Sequence, residues 1–255
     1  GAHLKSHFGK GHVKSNHGRD IKLSEDAQSE AIIIAALQEK TPFPILAEET
    51  GLQNINDDKA PPYYWLLDPL DGTYNFNQGI DYCCISLALM QGNIPRNNDK
   101  GSFSPSVYDD IVGGIIYDFV RDDLYHADVT NKKATCNHAP LHPSPQHDIA
   151  KSSLATGFPV NMSLQDDILQ KFLKNIQQFK KVRMIGSAAM ALTLVAKGVI
   201  DCYQESNSML WDVAGGIALV KAAGGSVSLI PSTDKKYALN VTACGNQNLL
   251  AKMPT

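Results

Sequence analysis

Two aspartates three residues apart, Asp68 and Asp71, close the run Trp65-Leu66-Leu67-Asp68-Pro69-Leu70-Asp71-Gly72-Thr73, directly after an apolar, strand-like stretch. Carboxylates in this arrangement suit a hard cation. Mg²⁺ takes oxygen ligands and usually combines one or two carboxylates with waters and substrate phosphate oxygens. Gly72 lets the backbone turn tightly and approach a ligand. Thr73 adds a hydroxyl and a backbone N–H that could hold a phosphate. The run therefore reads as a metal-and-phosphate corner at the end of a buried strand. Asp-Pro and Asp-Gly are also ordinary turn pairs, so taken alone the run leaves a plain turn equally open.

Three further acidic features sit at element ends. Glu48-Glu49 follows the short apolar run Ile45-Leu46-Ala47, Asp212 follows Trp211 and opens the helical stretch 213–225, and Asp26 lies in the first turn of an earlier helix. Each has a purely structural alternative: a helix N-cap for Asp212, a dipole partner for Asp26, a solvated turn for the Glu pair. If the acids converge, they repel by roughly 4 kcal/mol per pair at ~4 Å and an effective dielectric of ~20. Either some are protonated or a cation neutralises them. A phosphate monoester dianion cannot approach bare carboxylates, and divalent metals answer both problems.

The elements that must position these residues are legible in outline. Residues 1–19 are polar, rich in Lys, His and Gly, and read as a mobile leading segment. Ser24 reads as an N-cap, with Glu25 and Asp26 in the first turn and Ala27, Ala31, Ile34 and Ala35 at helical spacing, predicting a helix over 24–39. Strands are expected at 45–47, 63–67, 83–90, 111–117 and 123–127, the last two as a meander. Residues 93–110 form a polar Pro/Gly/Ser-containing loop too long for a simple hairpin, either an oligomer contact or a surface insertion. Helices are expected at 164–179, 187–197, 212–223 (closed by Gly224-Gly225) and 246–252, with strands at 199–203, 225–230 and 240–244. No internal repeat or low-complexity segment is evident.

Bulk composition narrows the function classes. At 255 residues and 43% hydrophobic, the chain can bury a sizeable core, as one large domain or two intimately packed halves. A net charge of −3 supplies no global basic field for nucleic acid or an anionic membrane. Lys180-Lys181 with Arg183, the nearest approach to a basic patch, reads as a solvated helix end. Five cysteines without a C-x-x-C pair fit reduced, buried thiols in a cytosolic protein, not a disulfide framework or zinc site. No apolar run approaches 18 residues. The start Gly1-Ala2-His3 is no signal peptide.

With Glu48-Glu49, WLLDPLDGTYNF and WDVAGGIALVKAAGG in this order, the chain resembles the inositol monophosphatase family of Mg²⁺-dependent, lithium-sensitive phosphatases. Leu154-Ala155-Thr156-Gly157-Phe158-Pro159, and Arg183-Met184-Ile185-Gly186-Ser187-Ala188-Ala189 leading to Ile200-Asp201-Cys202-Tyr203, agree. The resemblance runs from about Lys14 to the C-terminus. It implies an α/β (α+β) fold, a layered αβαβα sandwich of the inositol monophosphatase/fructose-1,6-bisphosphatase type. An N-terminal α+β half (1–145) would carry most metal ligands, and a C-terminal α/β half (146–255) would carry Asp212 and the specificity residues.

By the same resemblance, Glu48, Asp68, Asp71 and Asp212 match metal-ligating carboxylates, and the Leu70 carbonyl matches a backbone ligand, for two or three Mg²⁺ ions. Gly72 and Thr73 match phosphate-holding positions. Asp26 matches an acid that helps hold a further Mg²⁺ and partners the threonine. Lys14 falls where the family has a lysine on a mobile loop. Glu205 matches a position that hydrogen-bonds substrate hydroxyls, and Gly186, Ser187 and Ala188 match the wall around the sugar-like ring. The expected mechanism is in-line attack by metal-activated water with no phosphoenzyme. Glu48 and Thr73, the latter linked to Asp26, orient and deprotonate the water, and Asp212 lies on the side of the leaving oxygen.

The expected substrate is myo-inositol monophosphate or a similar small phosphorylated polyol. Asn75-Phe76 resembles the inositol phosphatase branch, and a carboxylate at 205 suits neutral hydroxyls while repelling a second phosphate. That weighs against fructose 1,6-bisphosphate and 3′(2′),5′-bisphosphate nucleotides, whereas cationic histidinol phosphate stays open. A regulatory binding role on the same fold is a different class of reading. A homodimer in the cytoplasm, with no nucleic-acid or membrane partner, completes the expectation. There are departures from the family's pattern. Lys22-Leu23-Ser24 stands where Val-Thr usually precedes the acid matched by Asp26, which leaves the number of metals open. Ala47 replaces a glycine, and Asn131-Lys132-Lys133-Ala134 lacks one. The helix that normally precedes the mobile lysine is mostly missing.

Overall fold

A computed structural model describes residues 1–18, 20–53, 62–92, 110–158, 165–233 and 235–254. The leading segment is structured, contrary to expectation. Helix α1 (Ala2–His7) buries Leu4, and β1 (Val13–His17) pairs antiparallel with β2 (Asp20–Leu23). Helix α2 (Ser24–Lys40) follows at once, with Leu23 rather than Ser24 as its N-cap. The apolar stripe expected on α2 is also displaced. Ala31 and Ala35 face solvent, while Glu25, Asp26, Ser29 and Glu30 are buried. The lower half of α2 turns Ile33, Ile34 and Leu37 onto the core.

The next strands, β3 (Ile45–Ala47), β4 (Gly51–Gln53) and β5 (Tyr63–Asp71), lead through helix α3 (Thr73–Gln78) to β6 (Cys84–Gln91). Strands β7 (Ile111–Asp118), β8 (Asp123–Asp128), β9 (Lys133–Cys136) and β10 (Ala139–Pro140) extend the same sheet. Its order is β10-β9-β8-β7-β6-β5-β3-β4, antiparallel except for the parallel β3/β5 pair. The loop expected over 93–110 lies, up to residue 109, outside the described residues. The glycine-free turn after β8 closes with Lys132 at φ 50°.

The remaining chain builds a second sheet from β11 (Ser153–Thr156), β12 (Lys181–Met184), β13 (Cys202–Met209), β14 (Ser226–Pro231) and β15 (Ala238–Cys244), in the order β12-β11-β13-β15-β14. Helix α4 (Asp166–Ile176) precedes β12, α5 (Ala188–Ala196) precedes β13, α6 (Leu210–Ala223) follows it, and α7 (Gln247–Leu250) comes last. The strand expected at 199–203 instead starts at Cys202 and runs to Met209 through the polar stretch Gln204-Glu205-Ser206-Asn207-Ser208. Lys181 and Arg183 lie not on a helix end but on the exposed edge strand β12, where a lysine discourages pairing with another sheet.

Three clusters of buried side chains define the layers. One, with α5 and α6 in it, fills the space between the two sheets; a second lies between the large sheet and α1/α2; a third lies between the small sheet and α4/α7. The result is the αβαβα sandwich expected from the sequence motifs. Helix α6 is its middle layer and touches strands of both sheets.

Candidate metal and phosphate site

Parallel pairing of β3 with β5 sets Ala47 beside Leu67, and the Glu48 N–H donates to the Leu67 carbonyl at 3.1 Å. Glu48 therefore emerges next to Asp68. Between Asp68 and Asp71 the register of β5 against β6 shifts, Asp68 opposing Ser86 and Asp71 opposing Cys84. A bulge of this kind re-aims side chains at a strand end. The Asp68 carboxylate also accepts the Leu70 N–H at 2.9 Å. Gly72 then takes φ 88°, and a Cβ there would stand 2.7 Å from the Tyr82 carbonyl, so the turn needs glycine.

The opposite wall comes from α6. A Cβ on Gly215 would meet the Ser86 hydroxyl at 2.8 Å and the Leu87 carbonyl at 2.9 Å. The bare backbone lets the helix lie directly on β6 and brings its first turn to Asp68. Asp212 is the third residue of α6 and accepts the N–H of the N-cap residue Met209. Asp26 holds the same position on α2 and accepts the Leu23 N–H at 2.6 Å. Two acids thus use the same reciprocal half of a capping box. Glu48, Asp68 and Asp212 each offer an oxygen within 4.8 Å of the others.

The polar face of α2 holds this corner from behind. The Ser29 hydroxyl donates to the Pro69 carbonyl at 3.0 Å. Buried Glu30 accepts the N–H groups of Glu49 and Thr50, both at 2.9 Å. Lys22, on β2, donates to Glu48 at 2.5 Å and also to Glu49.

Burial dominates the electrostatics. It pushes Asp68 and Asp212 well above the usual carboxylate range, with repulsion from Glu48 and Asp71 adding to it in both. Glu48 is raised by burial, against the pull of Lys22. Asp26 is raised to about 7 by burial, against its bond from the Leu23 N–H. Asp71 is raised to about 6, also by burial, against bonds from Ser187 and Ala189. Carboxyls held up in this way are those that a divalent cation would return to the charged form.

A cavity of about 670 Å³ opens in front of the acids. Asp71 and Asp212 line it together with Gly186, Ser187, Ala188 and Glu205. Ser187 and the Ala189 N–H each donate to Asp71 at 2.6 Å. Asn75 donates to the carbonyls of Tyr82 and Ile185, both at 2.8 Å, fixing the strand end just before this wall. Glu205 accepts from the Tyr203 hydroxyl at 3.2 Å, and burial lifts it to about 7. Phe158 and Met184, both substantially exposed, supply an apolar rim.

The sequence model of the inositol monophosphatase family matches residues 1–97 and 106–253. The chain belongs to the inositol monophosphatase family. It is similar to inositol-1-monophosphatase of Synechocystis sp., 34% identical over 232 residues, covering 89% of this chain and 74% of that protein. It is 31% identical to Nus factor SuhB of Xylella fastidiosa over 218 residues, 85% of this chain and 71% of the relative. Among solved structures, extragenic suppressor protein suhB from Bartonella henselae superposes with a TM-score of 0.79 at 28% identity, over 98% of this chain and 91% of that one. Members of the inositol monophosphatase family are phosphoric monoester hydrolases, and this chain is an enzyme of that class.

Set against the family's pattern, the residues expected to act divide into groups. Glu48, Asp68 and Asp212 converge. Asp71 stands beside them, turned toward Ser187. Glu205 and the 186–188 wall share the cavity with Asp71 and Asp212. The expected link between Thr73 and Asp26 is not formed: the Thr73 hydroxyl donates to the Leu70 carbonyl at 3.1 Å, and among the described residues the buried Oδ1 of Asp26 has no hydrogen-bond partner. The Leu70 carbonyl is thus engaged by Thr73. Lys14 is exposed on β1, and among the described residues nothing joins it to the acids. The lysine at the cluster is Lys22.

Sequence reasoning missed Lys22, Ser29, Glu30 and the strut role of Asn75. One signal was available: Asp26, Ser29 and Glu30 fall at i, i+3 and i+4, a polar stripe on one helix face.

Proposed function

We propose that this enzyme hydrolyses small phosphorylated polyols, myo-inositol monophosphate first among them, with Mg²⁺ held by Glu48, Asp68 and Asp212. The observation that carries the reading is the convergence of three carboxylates within 4.8 Å, at a site where burial forces them up in the absence of a cation. An all-oxygen donor set of this charge suits a hard divalent ion. Asp71, the Leu70 carbonyl and Asp26 are the neighbouring oxygens for a second or third ion.

When bound, the metal neutralises the acids and the phosphate dianion, acidifies a water and stabilises the leaving alkoxide. The chain's own groups supply the rest. Glu48 accepts the proton of the attacking water. The Thr73 hydroxyl, whose proton goes to Leu70, offers its oxygen lone pairs to orient that water. Gly72 and Thr73 hold the phosphate, so that attack is in line and no phosphoenzyme forms. Asp212 lies on the leaving-group side. Glu205 reads substrate hydroxyls, fixed by Tyr203, and the 186–188 wall bounds the ring.

The test is phosphate release from myo-inositol 1-phosphate, histidinol phosphate, fructose 1,6-bisphosphate and an adenosine bisphosphate, with Mg²⁺ and with lithium added. The reading expects the highest kcat/KM for inositol phosphate and inhibition by lithium. A preference for one of the others would move the substrate assignment. Absence of turnover on every substrate would favour a second reading, a regulatory binding role, which the Nus factor name of the Xylella relative suggests.

A further inference from the structure

The ammonium of Lys22 lies among the acids of the site. It is ion-paired with both Glu48 and Glu49, and its side chain is only 30% exposed. The β1/β2 hairpin fixes the backbone beneath it, with Lys22 opposite Ser15. The next residue, Leu23, gives its N–H to one oxygen of Asp26. The other Asp26 oxygen is buried and has no hydrogen-bond partner among the described residues. Asp26 also feels the charges of Glu49, Glu48 and Lys22, so the three acids and the ammonium form one electrostatic group. An ion bound between Asp26 and Glu48 would meet the ammonium at close range, and like charges there repel. Lys22 also falls in Lys22-Leu23-Ser24, the stretch that departs from the Val-Thr expected from the family resemblance. The departure places a fixed cation beside Glu48 and Glu49.

We propose that Lys22 takes the charge-balancing place of a third divalent ion, so that this enzyme loads two ions. Lys22 is a positioning residue: it neutralises Glu49 and holds Glu48 toward Asp68 and Asp212. The inference rests on the metal reading of the proposed function, and its test separates the two.

Mn²⁺ is titrated into the metal-free whole chain, and free Mn²⁺ is followed by its electron paramagnetic resonance signal. Wild type is expected to bind two ions, Lys22→Arg two, and Lys22→Met a third, weaker one. A wild type that binds one ion or three overturns the proposal, as does a folded Lys22→Met protein that still binds two. A wild type that binds no Mn²⁺ removes the metal reading itself. Should Lys22→Met fail to fold, anomalous diffraction from Mn²⁺-soaked wild-type crystals decides. A metal peak at Asp26 overturns the proposal, and Lys22 still seated on Glu48 and Glu49 without such a peak supports it.

Discussion

The Ser187 hydroxyl donates to the Asp71 carboxylate at 2.6 Å, joining the wall of the substrate cavity to the end of β5 across 116 positions of sequence. The same serine oxygen accepts the Met190 N–H at 3.2 Å and caps α5. One side chain therefore starts a helix and holds an acid of the site.

Ser187→Ala is expected to act twice. Loss of the cap lowers stability by about 1 kcal/mol. Loss of the donor removes an interaction that favours the charged form of Asp71, so its pKa rises above the present value of about 6. The acid limb of kcat/KM against pH should move to higher pH. A limb that stays in place while the melting temperature falls would show that Asp71 does not set it.

Glu30→Gln tests the support behind Glu48. A glutamine has one acceptor oxygen for two N–H groups, so one donor of this part-buried turn loses its partner at a cost of about 1 kcal/mol. The segment carrying Glu48 loosens, and divalent-metal affinity should fall by about 10–100-fold, as for other groups that orient ligands. Calorimetric titration with Mg²⁺ checks this. Unchanged affinity would mean that β3 alone positions Glu48.

Metal-free protein should lose stability as pH rises. Asp26 moves from 3.8 in the ordinary state to about 7 when folded, Asp71 from 3.8 to about 6, and Glu205 from 4.5 to about 7. Across that window the folded state binds more protons than the unfolded one, so unfolding free energy declines with pH. The stabilisation is fully present below the unfolded values and is lost as pH passes the folded ones. Melting temperatures with chelator should fall from about pH 4 upward, through the folded values of Asp71, Asp26 and Glu205. Mg²⁺ should restore most stability at the upper end. A flat metal-free profile would mean that these groups are not held up.

Glu205→Gln should raise KM for inositol phosphate more than for a featureless aryl phosphate, since the proposed function gives this cavity-lining carboxylate the polyol hydroxyls to read. Equal effects on the two substrates would remove Glu205 from substrate reading.

The acids of the site were legible because their types are expensive to bury without a purpose and because each follows an apolar run. Asp68 and Asp71 lie at the end of β5, Glu48 follows β3, and Asp212 stands in the first turn of α6. Local pattern marked these positions while leaving turns and caps open, and the family resemblance joined them into one site. The supporting residues were not. Glu30 lies one helix turn beyond Asp26 and resembles any solvated helix acid until the loop that it holds is folded against it. Lys22 is a lysine in a short polar strand, and only the hairpin turns it onto Glu48. Strand β13 was cut short at Tyr203 because Gln204 to Ser208 is polar. Its polarity reflects the cavity that it lines, so function overrode the apolar alternation by which a strand is recognised.

Helix α2 presents Glu25, Asp26, Ser29 and Glu30 to the interior, where a helix of a stable scaffold would present leucines. An engineer would be tempted to place apolar residues at these four positions, yet that would leave the N–H groups of Leu23, Glu49 and Thr50 without their carboxylate partners. Such a variant would keep its sandwich and its cavity while the loops behind Glu48 and Pro69 came untied. The polar inner face of α2 thus serves the site and not the scaffold, and it is the face to leave alone.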